Sequence, residues 1–274
     1  MEMLIFGIDF TSRPSRRKSL TCLECSLSGK HLRAGKLNEW RSYEDFEAAL
    51  NRSGPWVAGI DFPFGQSRFF IETIGWPQNW AKYVSHVGSL TRKEFRQELD
   101  DYRKQRPYGD KEHRRKTDVV TSSISPQKLY GTPVGLMFYE GAPRILKSGT
   151  TIPLLHQGDP DRIIVEAYPA VLVRQLIGRC SYKNDTKAKQ TRQQYQARAD
   201  LLKLIKDKEF KKTYGITVEA SETLIEDPGA DTLDALICAI QAAWAYTQNG
   251  NNFGIPKSAD PIEGWISHPT PATA

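Results

Sequence analysis

The tetrapeptide GIDF occurs at residues 7–10 and again at 59–62, each time closing an apolar run, MLIFGIDF and then WVAGIDF. Neither run alternates apolar with polar residues, so both read as strands buried on both faces. Asp9 and Asp61 thus end two buried strands, where an unpaired carboxylate is costly. Asp231 and Asp234 open the apolar helix DTLDALICAIQAAWAYT, and their i,i+3 spacing points both the same way. Glu166 ends another apolar strand, RIIVE. Carboxylates gathered in one place repel, and each is pushed toward protonation. A divalent cation removes that penalty, and an all-oxygen donor set suits Mg²⁺ or Mn²⁺. Two such ions about 4 Å apart clamp the attacking and leaving oxygens of a phosphoryl displacement.

Each acid also has an ordinary structural use. Asp231 and Asp234 fall in a helix first turn, where acids complement the dipole. Asp9 can turn back onto Thr11 or Ser12 in its own loop, and Glu166 can pair with an arginine. The joint pattern is more specific than any member. A base beside such acids would hold the phosphate. The candidates are Lys183 in CSYKND and Arg114 or Arg115 in HRRKTD, a segment that also carries His113 and Asp118. A surface lysine and an exposed loop are the plain alternatives for these two stretches.

The elements that must position these groups follow from pattern and turn residues. Residues 3–10 form the first strand, and SLTCLECS and HLRAGKLNEW two more. SYEDFEAALNRSG predicts a helix, with Ser42 as N-cap and Gly54 at its end. WVAGIDF is the fourth strand. Residues 63–161 predict a long, mainly helical insertion, whose aromatics Phe69, Phe70, Trp76, Trp80 and Tyr83 would form its small core or stack on bases. RIIVEAYP is the next strand, followed by a helix and an exposed basic helical stretch up to Lys212. The order is βββ-α-β-insertion-β-α, closed by the acid-led apolar helix. It describes an α/β fold with a mixed sheet flanked by helices. One domain spans 1–248, and 249–274 is a polar C-terminal segment expected to be a loose tail.

Composition narrows the function classes. The net charge is +6, from 38 basic and 32 acidic residues, and the bases cluster in RPSRRK, YRKQRPYGDKEHRRKTD and the Lys-rich stretch after Lys183. Such clusters suit a polyanion, nucleic acid, and equally suit solvated helix faces. No run approaches the roughly 20 apolar residues of a membrane helix. The opening MEMLIFGIDF reads as a strand, not a signal peptide, and four cysteines suit a reducing compartment, so a cytoplasmic protein is expected. Cys22 and Cys25 lie three apart on one strand, hence on opposite faces, with no second CxxC to complete a zinc site.

GIDF on the first strand, an acid ending the fourth and DTLDALICAIQAAWA as final helix resemble the RNase H-like superfamily. That helix is similar to the last helix of RuvC-type resolvases. GIDFPFG, VEAYP and the closing EGWI resemble an uncharacterised family of predicted RNase H-like nucleases, over about Leu4 to Trp265. The resemblance implies a five-stranded mixed sheet with the first and fourth strands side by side at its centre. It implies a metal-dependent nuclease acting on DNA or RNA, in which Asp9, Asp61, Asp231 and Asp234 bind Mg²⁺ or Mn²⁺. Asp61 stands where a RuvC-type enzyme has a glutamate, a departure that shortens its reach. The first-helix glutamate of RNase H enzymes has no secure counterpart, although Glu44 and Glu47 lie on that helix. Glu166 is an additional ligand or a support to the ligands, and Lys183 a phosphate-holding base.

Two other functions compete. An ATP-binding phosphotransferase of the actin and sugar-kinase type shares the fold, but needs a glycine-rich phosphate loop where this chain has TSRPSRRK. A non-catalytic nucleic-acid-binding module would keep the fold and the basic faces, without needing the four acids.

Overall fold

The computed structural model describes residues 2–269. In chain order the elements are β1 (Glu2–Asp9), β2 (Leu20–Ser28), β3 (His31–Trp40), α1 (Tyr43–Leu50) and β4 (Trp56–Asp61). Then come α2 (Arg68–Ile74), α3 (Trp80–Ser89), α4 (Arg92–Lys104), α5 (Lys116–Val120) and α6 (Val134–Lys147). After them follow β5 (Thr150–Thr151), β6 (Asp159–Glu166), α7 (Pro169–Ile177), α8 (Arg192–Lys206), α9 (Lys208–Tyr214), β7 (Thr217–Glu219) and α10 (Asp231–Thr247).

The strands form one mixed sheet in the order β5-β6-β4-β1-β2-β3-β7. It has seven strands, not the expected five. The two additions, β5 and β7, are two and three residues long and sit at the edges. Strands that short carry no readable period, which is why the pattern missed them. β1 runs antiparallel to β2 and parallel to β4, and β4 runs parallel to β6. Gly7 faces Gly59 and Asp9 faces Asp61 across the β1–β4 pair.

The sheet has a core on each side. On one face Ile5, Val57, Ile163 and Val165 pack against α7, α8, α9 and α10. On the other, Phe6, Ile8, Trp56, Ile60 and Ile164 pack against α1 and the helices of the insertion. Phe70, Trp76, Trp80 and Tyr83 are buried there, so the insertion is a layer continuous with the sheet, not a core of its own; Phe69 stays half exposed. Cys22 and Cys25 fall in opposite cores, as their spacing requires.

Residues 249–269 are not a loose tail. Ile255, Ile262 and Ile266 are buried, and the Asp260 carboxylate takes two hydrogen bonds from Arg68, at 2.6 and 2.8 Å. Ser267 N–H donates to the Glu166 carbonyl at 2.8 Å, and the Ser267 carbonyl accepts from Gln241 at 2.7 Å. Asp260, Glu263 and Ser267, which read as surface residues, have fixed partners within the fold.

The seat of α10 depends on two glycines. A Cβ on Gly7 would lie 1.9 Å from the Ala235 carbonyl oxygen and 2.5 Å from the Ala239 nitrogen. On Gly59 it would lie 2.3 Å from the Cys238 carbonyl oxygen. The helix backbone therefore rests directly on β1 and β4. Gly7→Ala should destabilise the protein by about 3 kcal/mol or more, because helix backbone cannot swing aside. Gly250→Ala, where nothing lies within 4 Å, should change stability by less than about 0.5 kcal/mol. Urea unfolding of the two variants checks the contrast; equal effects would remove the glycine argument.

Candidate functional site

Side chains two apart on a strand share a face. Gly7 and Asp9 on β1, and Gly59 and Asp61 on β4, therefore all face α10. The glycines admit the helix, and the aspartates meet its first turn. Adjacent strands lie about 4.8 Å apart, so the paired Asp9 and Asp61 are close neighbours. Asp234 is fully buried at the start of α10, and Asp231 is one-fifth exposed beside it.

α10 does not need these acids as caps. Asp227 does that work: its carboxylate accepts from Gly229 N–H at 2.9 Å and from Asp231 N–H at 2.7 Å. Asp231 and Asp234 are thus not used as caps and take partners from the neighbouring loops. Lys18 donates to both oxygens of Asp231, at 2.7 and 2.9 Å, and also reaches Asp185 at 3.4 Å. Tyr182 O–H donates to Asp234 Oδ1 at 2.7 Å, and the Lys183 ammonium to Asp234 Oδ2. Among the described residues, no hydrogen bond reaches the side chain of Asp9 or Asp61.

The electrostatics follow. Burial, then Asp234 and Asp231, hold the Asp9 carboxyl well above the usual carboxylate range, against the pull of Lys183. Burial and Asp234 push Asp61 up to about 7. Burial also raises Asp231, opposed by Lys18. Burial would lower Lys183, but Asp234, Tyr182 and Asp9 outweigh it and hold its ammonium well above the ordinary value. Four carboxylates thus share two lysines, a deficit of positive charge. Even so, among the described residues no group of three or more His, Cys, Asp or Glu side chains is arranged to hold a metal ion. Asp234 and Asp231 are turned toward their lysines.

Glu166 does not join this group. It pairs with Ile60 across β4–β6 and shares a face with Ile164, on the side away from α10. There it meets Arg115, which is buried, contrary to the exposed loop that HRRKTD suggested. Arg115 donates to Glu166 at 2.8 and 2.6 Å, to Asp118 at 2.9 and 2.8 Å, and to the Glu263 carbonyl at 3.2 Å. Phe64 N–H completes the shell of Glu166 at 2.9 Å. Every guanidinium nitrogen is engaged, so Arg115 has none to offer a phosphate, and Arg114 is exposed. Glu44 lies on α1, which packs on this same far face through Phe46 and Leu50.

Three working residues escaped the sequence pattern. Lys18 showed only as part of a basic cluster. Tyr182 gave no sign beyond adjoining Lys183. Asp227 stands four residues before Asp231, three before the N-cap position, so the usual capping spacing does not reveal it.

Two predictions follow from the geometry. Removing one partner of a buried ion pair leaves the other uncompensated, so Glu166→Ala should cost about 3–5 kcal/mol in urea unfolding. An effect near zero would mean that the Arg115 network does not hold the two segments together. Asp61 has its ordinary value of 3.8 when unfolded and about 7 when folded. The folded state binds more protons between those values, so this contribution is fully present below about 3.8 and is lost as pH rises through about 7. In metal-free buffer with chelator, the stability gain of Asp61→Asn over wild type should be small near pH 4. It should widen to roughly 1–4 kcal/mol by pH 8. A gap independent of pH would contradict the raised value.

Among the described residues, no helix is long and apolar enough to cross a membrane. Neither a curated protein nor a solved structure matches the chain. A family model does match, over residues 7–259, a span that runs from the first glycine of GIDF through α10 into the C-terminal segment 249–269. On that coverage the chain belongs to the family described as "Protein of unknown function (DUF429)".

Proposed function

We propose that the carboxylate site binds a divalent cation, Mg²⁺ or Mn²⁺, and hydrolyses phosphodiester bonds of nucleic acid, DNA or RNA, on an RNase H-like arrangement of strands. One observation carries this reading: Asp9 and Asp61 are paired on neighbouring central strands, face the acid-led end of α10, and have no protein donor. Asp9 is buried and Asp61 half-buried, and carboxylates that accept no hydrogen bond and have only a share of the Lys183 charge are costly. The donors are all oxygen, the set that hard divalent cations take.

Asp9, Asp61 and Asp234 would hold the cation, with Asp231 at the outer edge. The cation when bound would neutralise the acids and stabilise charge on a phosphate oxygen. The protein's own share is positioning. β1 and β4 fix two carboxylates by their register, and the capped first turn of α10 fixes the others. Tyr182 holds Asp234 from behind. Lys183, half exposed and already in the site, is placed to hold a non-bridging phosphate oxygen. Glu166 supports the site from the opposite face by anchoring the end of β6, and does not act as a ligand.

A second reading has its own support. Lys18 and Lys183 already neutralise two of the acids, and a non-catalytic nucleic-acid-binding module would need no more than that. Actin-type phosphotransfer gains nothing comparable, since the segment after β1 has no glycine.

Thermal unfolding with and without Mg²⁺ or Mn²⁺ separates the two. A ligand that binds the native state at 100 times its Kd stabilises by about 2.7 kcal/mol. Metal nuclease action predicts a concentration-dependent rise in Tm that Asp9→Asn and Asp234→Asn abolish, along with a loss of oligonucleotide cleavage of about a hundredfold or more. No Tm response to either cation, together with nucleic-acid binding intact, would select the non-catalytic module.

A further inference from the structure

Behind Tyr182 lies a cavity of about 320 Å³, between α7 and the segment 178–182. Its lining includes Ser122, Val173, Arg174, Arg179, Cys180 and Tyr182, and contains no carboxylate. Arg174 donates to the Thr121 carbonyl and lies 5.3 Å from the centre of the Tyr168 ring. Arg179 is exposed, and among the described residues neither arginine is paired with an acid. The C-terminus of α7 brings partial negative charge that opposes an anion here, and among the described residues the two guanidinium groups are the only full charges in the cavity lining. Its volume is at the lower end of the range for small-molecule sites, about 300–1,000 Å³. That admits a phosphate with its sugar.

Tyr182 joins this cavity to the carboxylates, since the same side chain that lines it hydrogen-bonds Asp234. We propose that the cavity is a subsite for a backbone phosphate of the nucleic-acid strand, one that flanks the phosphate at the carboxylate site. Arg179 and Arg174 hold it by charge-assisted hydrogen bonds. The assignment rests on the nucleic-acid reading above and adds the direction the strand takes: across Tyr182, toward the end of α7. It requires neither the cation nor hydrolysis.

Cys180 makes the subsite testable. It lines the cavity and is exposed, whereas Cys22, Cys25 and Cys238 are buried. The rate at which a thiol reagent labels Cys180 in the full chain therefore reports occupancy. The measurement uses chelator and short single-stranded DNA and RNA oligonucleotides, with fluorescence anisotropy reporting binding of the same probes. Binding should slow labelling severalfold. Arg179→Ala, a surface change, should abolish that protection and lower the slope of log affinity against log salt by about 1. Anisotropy that shows binding while labelling is unchanged would overturn the subsite and leave the nucleic-acid reading standing. No binding by either probe, in chelator and again with Mg²⁺ or Mn²⁺ added, would overturn both. Orthophosphate or a mononucleotide protecting as well as the oligonucleotide would reassign the cavity to a free phosphate ligand and overturn the strand path. Protection without cleavage in added Mg²⁺ or Mn²⁺ would keep the subsite and remove the hydrolysis.

Discussion

The close seat of α10 on β1 and β4 governs the rest of the structure. Helix backbone meets sheet backbone at Gly7 and Gly59, with Ala235, Cys238, Ala239 and Ala242 as the small residues of the contact. A side chain at either glycine would lift the helix. Strand alternation then sends the residue two positions later, Asp9 or Asp61, to the same face. The repeated GIDF is thus one solution used twice. Glycine admits the helix, isoleucine fills the opposite core, and aspartate arrives at the helix's first turn. No internal duplication is needed to explain it.

The sheet treats its buried acids in two different ways. On the insertion side, Glu166 and Asp118 share one arginine, whose planar fork matches two carboxylates at once, and Phe64 N–H and Ser123 O–H supply further donors. That arrangement is closed and offers little to a ligand. On the α10 side, the positive charge comes from two lysines on loops, and Asp9 and Asp61 share what remains. Ammonium groups on flexible stems can be exchanged for another cation far more easily than a buried fork can. The contrast separates a closed ion network from the cluster proposed as a site.

Much of this was legible in the residues. The two buried strands, the apolar final helix and the four aspartates came from composition and spacing, since runs without alternation and i,i+3 pairs are local signals. Register is not local. Whether Glu166 lies beside Asp61 or beside Ile60 depends on a one-residue offset between β4 and β6, and that offset moves its side chain through the sheet. HRRKTD misled for a similar reason: its charge suggested solvent, but besides Asp118 within the motif, the partners that bury Arg115 lie 51 and 148 residues away in sequence. The C-terminal strap misled likewise, because Asp260 and Glu263 look like surface acids until Arg68 and Lys116 are seen to meet them.

Asp9 and Asp61 remain the most costly residues to explain by structure alone. An asparagine at either position would keep nearly the same shape and remove the repulsion. Glycines and capping already seat α10, so the acids do nothing for the fold that a neutral residue would not. Residues that break a local rule without a structural return concentrate at functional sites. Asp231 and Asp234 at least hold loops 11–19 and 178–191 through Lys18 and Lys183. The inner pair holds nothing in the protein. Their negative charge finds no hydrogen bond within the fold, which is the ground for proposing a positively charged partner from outside the chain; the lysines beside them would then be free to turn toward an anion. A cation with a phosphate ester satisfies both halves of that requirement at once.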